Sequence, residues 1–332
     1  MKLPVKIILS LLCAAMVLAA PFVVSSPTML EDAQWEMIDQ LDAEDSGLLR
    51  LFLSAASAEE EAAPYSLPVD RSAGMKPNPA LFTDAGYEDA SIRVQMESRE
   101  GEKGVIWRIA WIEIASPTQL RTDYAPATIK KDKTGFVTTM AKNDNAVVAL
   151  NGDNFSVDKA KHSFIYRNGE MRQTKLNKIK DILIVDENGD FHTFVKSAGA
   201  DTFEQDTGLK IMHAFMFGPV LVQGGQELKM DLQYGYNPEG RQPRSAIGQL
   251  DTLSYVLVIA DNEKGSDSVG VTHQELAAFM AELGCKEAYN LDGGNSAIMV
   301  FNNSIYNVKK QERDITDIIY FASAVPAEEW EQ

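Results

Sequence analysis

Six short apolar runs, each bounded by residues that turn a chain, limit what this sequence can fold into. They are IWRIAWIEIA (106–115), AVVAL (146–150), DILIV (181–185), PVLVQ (219–223), SYVLVIA (254–260) and AIMVF (297–301). Runs this short, rich in Val and Ile and alternating in the first case, are strand-forming. Turn signals such as ENGD, QGGQ and NN lie between them. One segment, THQELAAFMAELG, reads as a helix. Thr272 stands at its N-cap with Glu275 three residues on, as a capping box requires. Leu276, Phe279, Met280 and Leu283 form its apolar face, and Gly284 supplies the C-terminal stop. Strands outnumber helices and no internal repeat is present. The reading is an α+β fold: a mixed β-sheet core with a few packed helices, in one main domain.

A chain of 332 residues that is 45% hydrophobic and 24% charged can bury a sizeable core. Its formal charge of −17 argues against nucleic acid as a partner, and against anionic membranes as a main target. Residues 1–26 carry Lys2 and Lys6 ahead of an apolar run and read as a signal peptide or an N-terminal membrane anchor. The expected location is therefore extracellular, or anchored to the outer face of a bacterial cytoplasmic membrane, with membrane contact through that segment alone. Residues 27–63 set ten acids against Arg50 and read as a flexible acidic tether. Residues 64–135 supply the first strands of the globular unit, 136–323 the main domain, and 324–332 an acidic tail. Cys13 and Cys285 are the only cysteines, so a chain without its leader has no internal disulfide and no cysteine-based metal site. Cys285 reads as a small buried residue.

Polar residues gather at four places beside apolar runs. AVVALNGDNFS brings Asn151, Gly152, Asp153, Asn154 and Ser156; FMFGPVLVQGG brings Gly218; GRQPRSAIGQ brings Arg241, Arg244 and Ser245. NLDGGNS brings Asn290, Asp292, Gly293, Gly294, Asn295 and Ser296. Each has a plainer reading: NGD as a type I′ turn, Arg244 as a surface cation, LDGGN as a tight turn or an incomplete calcium loop. Their agreement in one domain favours a site.

In order, NGDNF, GPVLV, PRSAIG, SVGVTHQELAAFM and NLDGGNS resemble the phosphodiester glycosidase family over residues 137–322. Two positions depart from the pattern. Asn295 replaces the family's third glycine, and ADNEKGSDS stands where an Asp-Gly-Arg often occurs. The resemblance implies a single domain of that family's fold. It also implies cleavage of a sugar-1-phosphodiester, of N-acetylhexosamine-phosphate type, on an envelope or extracellular glycan. Arg244 and backbone N–H groups would then hold the phosphate, and Asp292 and Asp153 would act at the anomeric centre. Asn151, Gly152, Gly218, Ser245, Asn290, Gly293, Gly294, Asn295 and Ser296 would line the substrate. No cofactor is called for. Two alternatives stay open: a non-catalytic phosphoglycan-binding module, and a metal-dependent phosphodiesterase with a divalent ion on Asp153 and Asp292. His162, His192, His213 and His273 show no ligand spacing and read as ordinary residues, His273 on the first turn of a solvated helix. Nothing in the sequence specifies an oligomeric state.

Overall fold

A computed structural model describes residues 65–124, 135–154, 163–235, 237–262, 270–307 and 312–330. The leader, the tether, Ser156 and His162 lie outside the described residues, as does most of the ADNEKGSDS stretch. Every described residue falls within the compact unit Ala62–Gln332, where the strands form three sheets. The first has eight strands in the order β1 (Gly86–Glu88), β2 (Ile92–Glu100), β3 (Val105–Ile114), β14 (Ser254–Asn262), β13 (Arg244–Asp251), β15 (Glu287–Leu291), β11 (Val220–Gln223) and β12 (Gln226–Glu227). The second runs β7 (Glu170–Lys175), β6 (Ser163–Arg167), β10 (Ile211–Phe215), β8 (Ile182–Asp186), β9 (Phe191–Phe194). The third runs β17 (Ser304–Ile305), β16 (Met299–Phe301), β5 (Ala146–Asn151), β18 (Asp317–Ala322), β4 (Leu120–Tyr124).

All six expected runs are strands. The expected mixed sheet is corrected, because these pairings are antiparallel throughout. The reason is in the connections. Tight turns close the hairpins: Asn168 and Gly169 between β6 and β7, and Asn302 and Asn303 between β16 and β17, all have positive φ. Parallel pairs need long crossovers, usually helical. Among the described residues there are just three α-helices: α1 (Val137–Asn143), α2 (Phe203–Thr207) and α3 (His273–Glu282). The fold is therefore sheet-rich with few helices.

The three sheets share one core. Val94, Ile112, Leu257 and Tyr289 of the first sheet meet Leu183, Val185 and Phe215 of the second and Val148, Leu150 and Phe321 of the third. Burying each aliphatic side chain contributes about 1.5–3 kcal/mol. The other face of the first sheet is covered by α3, whose Leu276, Ala277, Phe279 and Met280 pack on Ala246, Val256 and Val258. Phe279 stacks on Trp107 with ring centroids 3.7 Å apart. The Thr272–Glu275 capping box forms as expected, Gly284 takes φ +85° just past the end, and Leu283 is only partly buried. Cys285 is buried in this cluster, which pushes its thiol up to about 12. Helix α1 seals the third sheet with Val137, Met140 and Ala141. Register then aligns the site. Ser245 pairs with Leu291 and Ala246 with Asn290 across β13 and β15, while Asn151 ends β5 opposite Ile318.

Candidate active site

The four polar stretches meet through side-chain amides. Asn151 is fully buried. Its Oδ1 accepts from Ser245 Oγ at 2.8 Å and from the Ile298 amide at 3.1 Å. Its Nδ2 donates to the Asp292 carbonyl at 2.5 Å. One side chain thus ties three stretches together. Asn290 ties in the fourth, donating from Nδ2 to the Gly218 carbonyl at 2.7 Å, while its main-chain N–H reaches Pro219 O at 3.0 Å. Gly218–Pro219 is a cis peptide. Main-chain bonds complete the assembly: Asp292 N–H to Gly152 O at 3.2 Å and Gly294 N–H to Pro243 O at 2.7 Å.

Close approach, more than turning, explains the glycines. A Cβ on Gly152 would sit 2.7–2.8 Å from the Asp317 carboxyl, and one on Gly293 would sit 2.8 Å from Pro243 O. Gly152 does not have positive φ, so NGD is not a type I′ turn. In the Asp292 loop Gly293 is extended, at φ −113°, and Gly294 is left-handed at φ +58°. Arg244 and Ser245 do not follow a strand in a loop; they open β13 and are buried there.

Three carboxyls occupy this end of the sheets. Asp153 is buried, with Oδ2 accepting the Met216 amide at 2.8 Å and lying 3.6 Å from Arg167 Nη2. Its buried Oδ1 has no hydrogen-bond partner. Burial raises its pKa, against the opposing pull of Arg167, the Met216 and Phe217 amides and Lys180. Asp317 Oδ2 receives both Nε and Nη2 of Arg167, at 2.9 and 2.6 Å, the charge-assisted contact that makes it the arginine's primary counter-ion. Asp292 is partly exposed. Burial also raises its pKa; Ser296 and Arg313 pull it down and Asp153 pushes it up. The Ser296 hydroxyl is buried and closes no hydrogen bond of ordinary geometry. It nonetheless stands near enough to Asp292 to favour the charged form.

Cations face these acids. Lys180 Nζ donates to Phe217 O at 3.4 Å and lies over the Tyr234 ring, 4.7 Å from its centroid. Burial lowers Lys180 to about 8, against the attraction of Asp153 and Asp181. Arg313 is exposed beside Asp292. Arg244 is differently placed from what the resemblance implied. Its guanidinium donates to Val271 O at 3.2 Å, Asn237 O at 2.8 Å and Gly240 O at 2.9 Å, and Nη1 contacts His273 Nε2 at 2.6 Å. Its fork is turned onto protein carbonyls, and burial lowers its pKa to about 10. His273 is correspondingly not solvated but fully buried, and burial together with Arg244 lowers it to about 3. Receiving an arginine N–H on Nε2 places the imidazole proton on Nδ1. His192 pairs with Asp186 at 3.0 Å, and His213 is buried against Leu120 and Thr122. Among the described residues no three His, Cys, Asp or Glu groups converge as a metal site.

The structure therefore brings Asp153, Asp292, Asn151, Ser245, Asn290 and the glycines together, with Asn295 exposed at the rim. The amides and Ser245 act as ties between loops. Sequence reasoning missed Arg167, Lys180, Arg313 and Asp317. Arg167 had one local signal, a cation between an apolar strand and an Asn-Gly turn.

A sheet-rich domain with paired, partly desolvated carboxyls at its strand ends fits glycosidic chemistry. Residues 144–322 match the model of the phosphodiester glycosidase family, and this chain belongs to that family. Among solved structures it is similar to the catalytic domain of zebrafish N-acetylglucosamine-1-phosphodiester alpha-N-acetylglucosaminidase, auto-inhibited by its pro-peptide. That likeness has 17% identity and a TM-score of 0.53, covering 76% of this chain and 87% of that one. A Synechocystis protein aligns at 15% identity and TM-score 0.47, over 69% of this chain and 62% of that one. No curated protein matches. The zebrafish likeness supports the fold.

Proposed function

We propose that this protein hydrolyses sugar-1-phosphodiesters of the N-acetylhexosamine type on an envelope or extracellular glycan, after export. The observation that carries the reading is the juxtaposition of Asp153 and Asp292, two carboxyls raised by burial on loops joined by the Asp292 N–H to Gly152 O bond, with the Asp153 charge raising Asp292 further, in a phosphodiester glycosidase. Asp292, the more accessible, acts at the anomeric carbon, either attacking it or activating water. Asp153, whose charged form is disfavoured, is the proton donor. The group expelled from the anomeric carbon is a phosphomonoester, which leaves readily, so weak acid assistance suffices. Lys180 and Arg313 supply the positive charge that the phosphate requires, together with the main-chain N–H groups of the Gly293–Gly294 loop. Arg244 holds the 237–243 and 271–273 segments in place behind them.

The test is release of N-acetylglucosamine from a synthetic N-acetylglucosamine-1-phosphodiester by the full chain, with and without chelator. Release that survives chelator supports the reading. Release lost with chelator and restored by a divalent ion moves the chemistry to a metal. A thermal shift without release leaves a binding module.

A further inference from the structure

The chain is acidic as a whole, but its cations are unevenly placed. Between Met171 and Lys180 stand Arg172, Lys175, Lys178 and Lys180, with no acid among them. This segment spans most of β7, an edge strand, and the loop leading to β8. Two other loops pack beside it. Ser197 Oγ donates to Asn177 O at 3.0 Å and to Lys180 O at 2.6 Å, and the Lys196 N–H donates to Asp181 Oδ1 at 2.8 Å. Val195, Lys196, Lys229, Met230, Asp231 and Tyr234 share the lining of a cavity of about 60 Å³. The three loops therefore form one continuous face.

That face exposes aliphatic tips among lysines. Ile179 is 72% exposed, Leu232 60% and Val195 40%. Lys178, Lys196 and Lys229 are exposed around them; the acids beside them are paired, Asp231 3.8 Å from Lys196 and Glu170 with Arg172 at the start of β7. Neighbouring Met230 and Tyr234 are buried, so the loops do fold inward where they can. Clustered exposed aliphatics mark an interaction surface. The face also adjoins the candidate active site. Lys180 bonds Phe217 O, Pro219 lines the same cavity, and Asn290 holds Gly218.

We propose that this face docks on an anionic lipid bilayer, with Ile179, Val195 and Leu232 entering the headgroup region and the lysines lying on anionic headgroups. A soluble polyanion would satisfy the lysines but offer the aliphatic tips nothing to enter. Local charge overrides net charge here, because screening confines each interaction to about 8–10 Å. This contact is separate from any made by the leader, and it does not depend on the hydrolytic reading.

The test is co-sedimentation of the Ala62–Gln332 unit, which carries all three sheets and their shared core, with lipid vesicles. Omitting the leader removes an apolar run that would enter any bilayer. Preferential binding to phosphatidylglycerol-containing vesicles over pure phosphatidylcholine is expected. Lys178→Gln and Lys196→Gln should each weaken binding roughly fivefold at low salt. The Ile179→Ser/Leu232→Ser variant should also bind more weakly, although its charge is unchanged. These positions are exposed, and circular dichroism checks that each variant is folded. Equal binding to both vesicle types would overturn the proposal. So would full binding by the aliphatic variant, including the case where soluble polyphosphate binds as well as vesicles do and the face belongs to a polyanion.

Discussion

Arg167 and Arg244 are each 1% exposed, yet their cations are buried in different ways. Around Arg167 the compensation is charge: Asp317 at 2.6 Å and Asp153 at 3.6 Å. Around Arg244 it is dipoles, namely the carbonyls of Asn237, Gly240 and Val271 with a neutral His273. The first arrangement fixes where the carboxyls sit and opposes the burial that raises both of them, Asp317 to about 7. The second fixes two chain segments and leaves the arginine easier to deprotonate, at about 10. Charge pairing therefore shapes the chemistry of the site, and dipole pairing shapes its walls.

The largest expected effect follows from breaking the charged half. Arg167→Ala strands Asp317 and Asp153 as buried, uncompensated acids and should cost about 3–5 kcal/mol in urea unfolding. Adding Asp317→Asn should recover part of that loss. Arg244→Ala leaves carbonyls rather than charges without a partner, so about 2–3 kcal/mol is expected, with catalysis lost through displaced loops. Equal costs for the two arginines would erase the distinction between them. Gly152→Ala probes the charged half more gently. Its Cβ would press on the Asp317 carboxyl, destabilising by about 1–3 kcal/mol and disturbing the Arg167 contact.

The smallest effect sharpens the comparison from the opposite sign. Asp144 is a buried acid whose Oδ2 has no hydrogen-bond partner. Burial, then the charge of Asp123, pushes it up to about 7. An unfolded aspartate titrates near 4. Between those values the native state holds a proton that the unfolded chain has released, so stability falls as pH rises through the window. Asp144→Asn should flatten that decline and stabilise the protein by roughly 1 kcal/mol at neutral pH, while changing little near pH 4. Melting temperatures across the window give the answer.

The elements legible in the sequence were those whose signal is local. The six apolar strands and α3 follow from residues a few positions apart, as the Thr272–Glu275 box shows. Strand β13 is absent from those apolar runs because it opens with Arg-Ser, polar residues that hide a buried strand until its partners are known. Ser245 meets Asn151 and Arg244 meets His273, 94 and 29 residues away. Asp317 and Arg167 are 150 residues apart; Arg167 has only its neighbouring Asn-Gly turn as a local signal and Asp317 has none, so their pairing was not legible in the sequence. Asp153 and Asp292 were legible because each follows an apolar strand with glycine beside it, where the backbone approaches another loop closely. Their protonation was not, since it depends on burial and on cations from other elements.

The proposed hydrolysis turns on Asp153 and Asp292 working as a pair at the sugar–phosphate bond. Its most direct test is the rate of sugar release from a synthetic N-acetylglucosamine-1-phosphodiester by the full chain and by its Asp292→Asn and Asp153→Asn variants, each with its melting temperature. Losses of about 10²- to 10⁴-fold are expected in both variants with the fold retained. A wild-type rate in either folded variant would contradict that pairing.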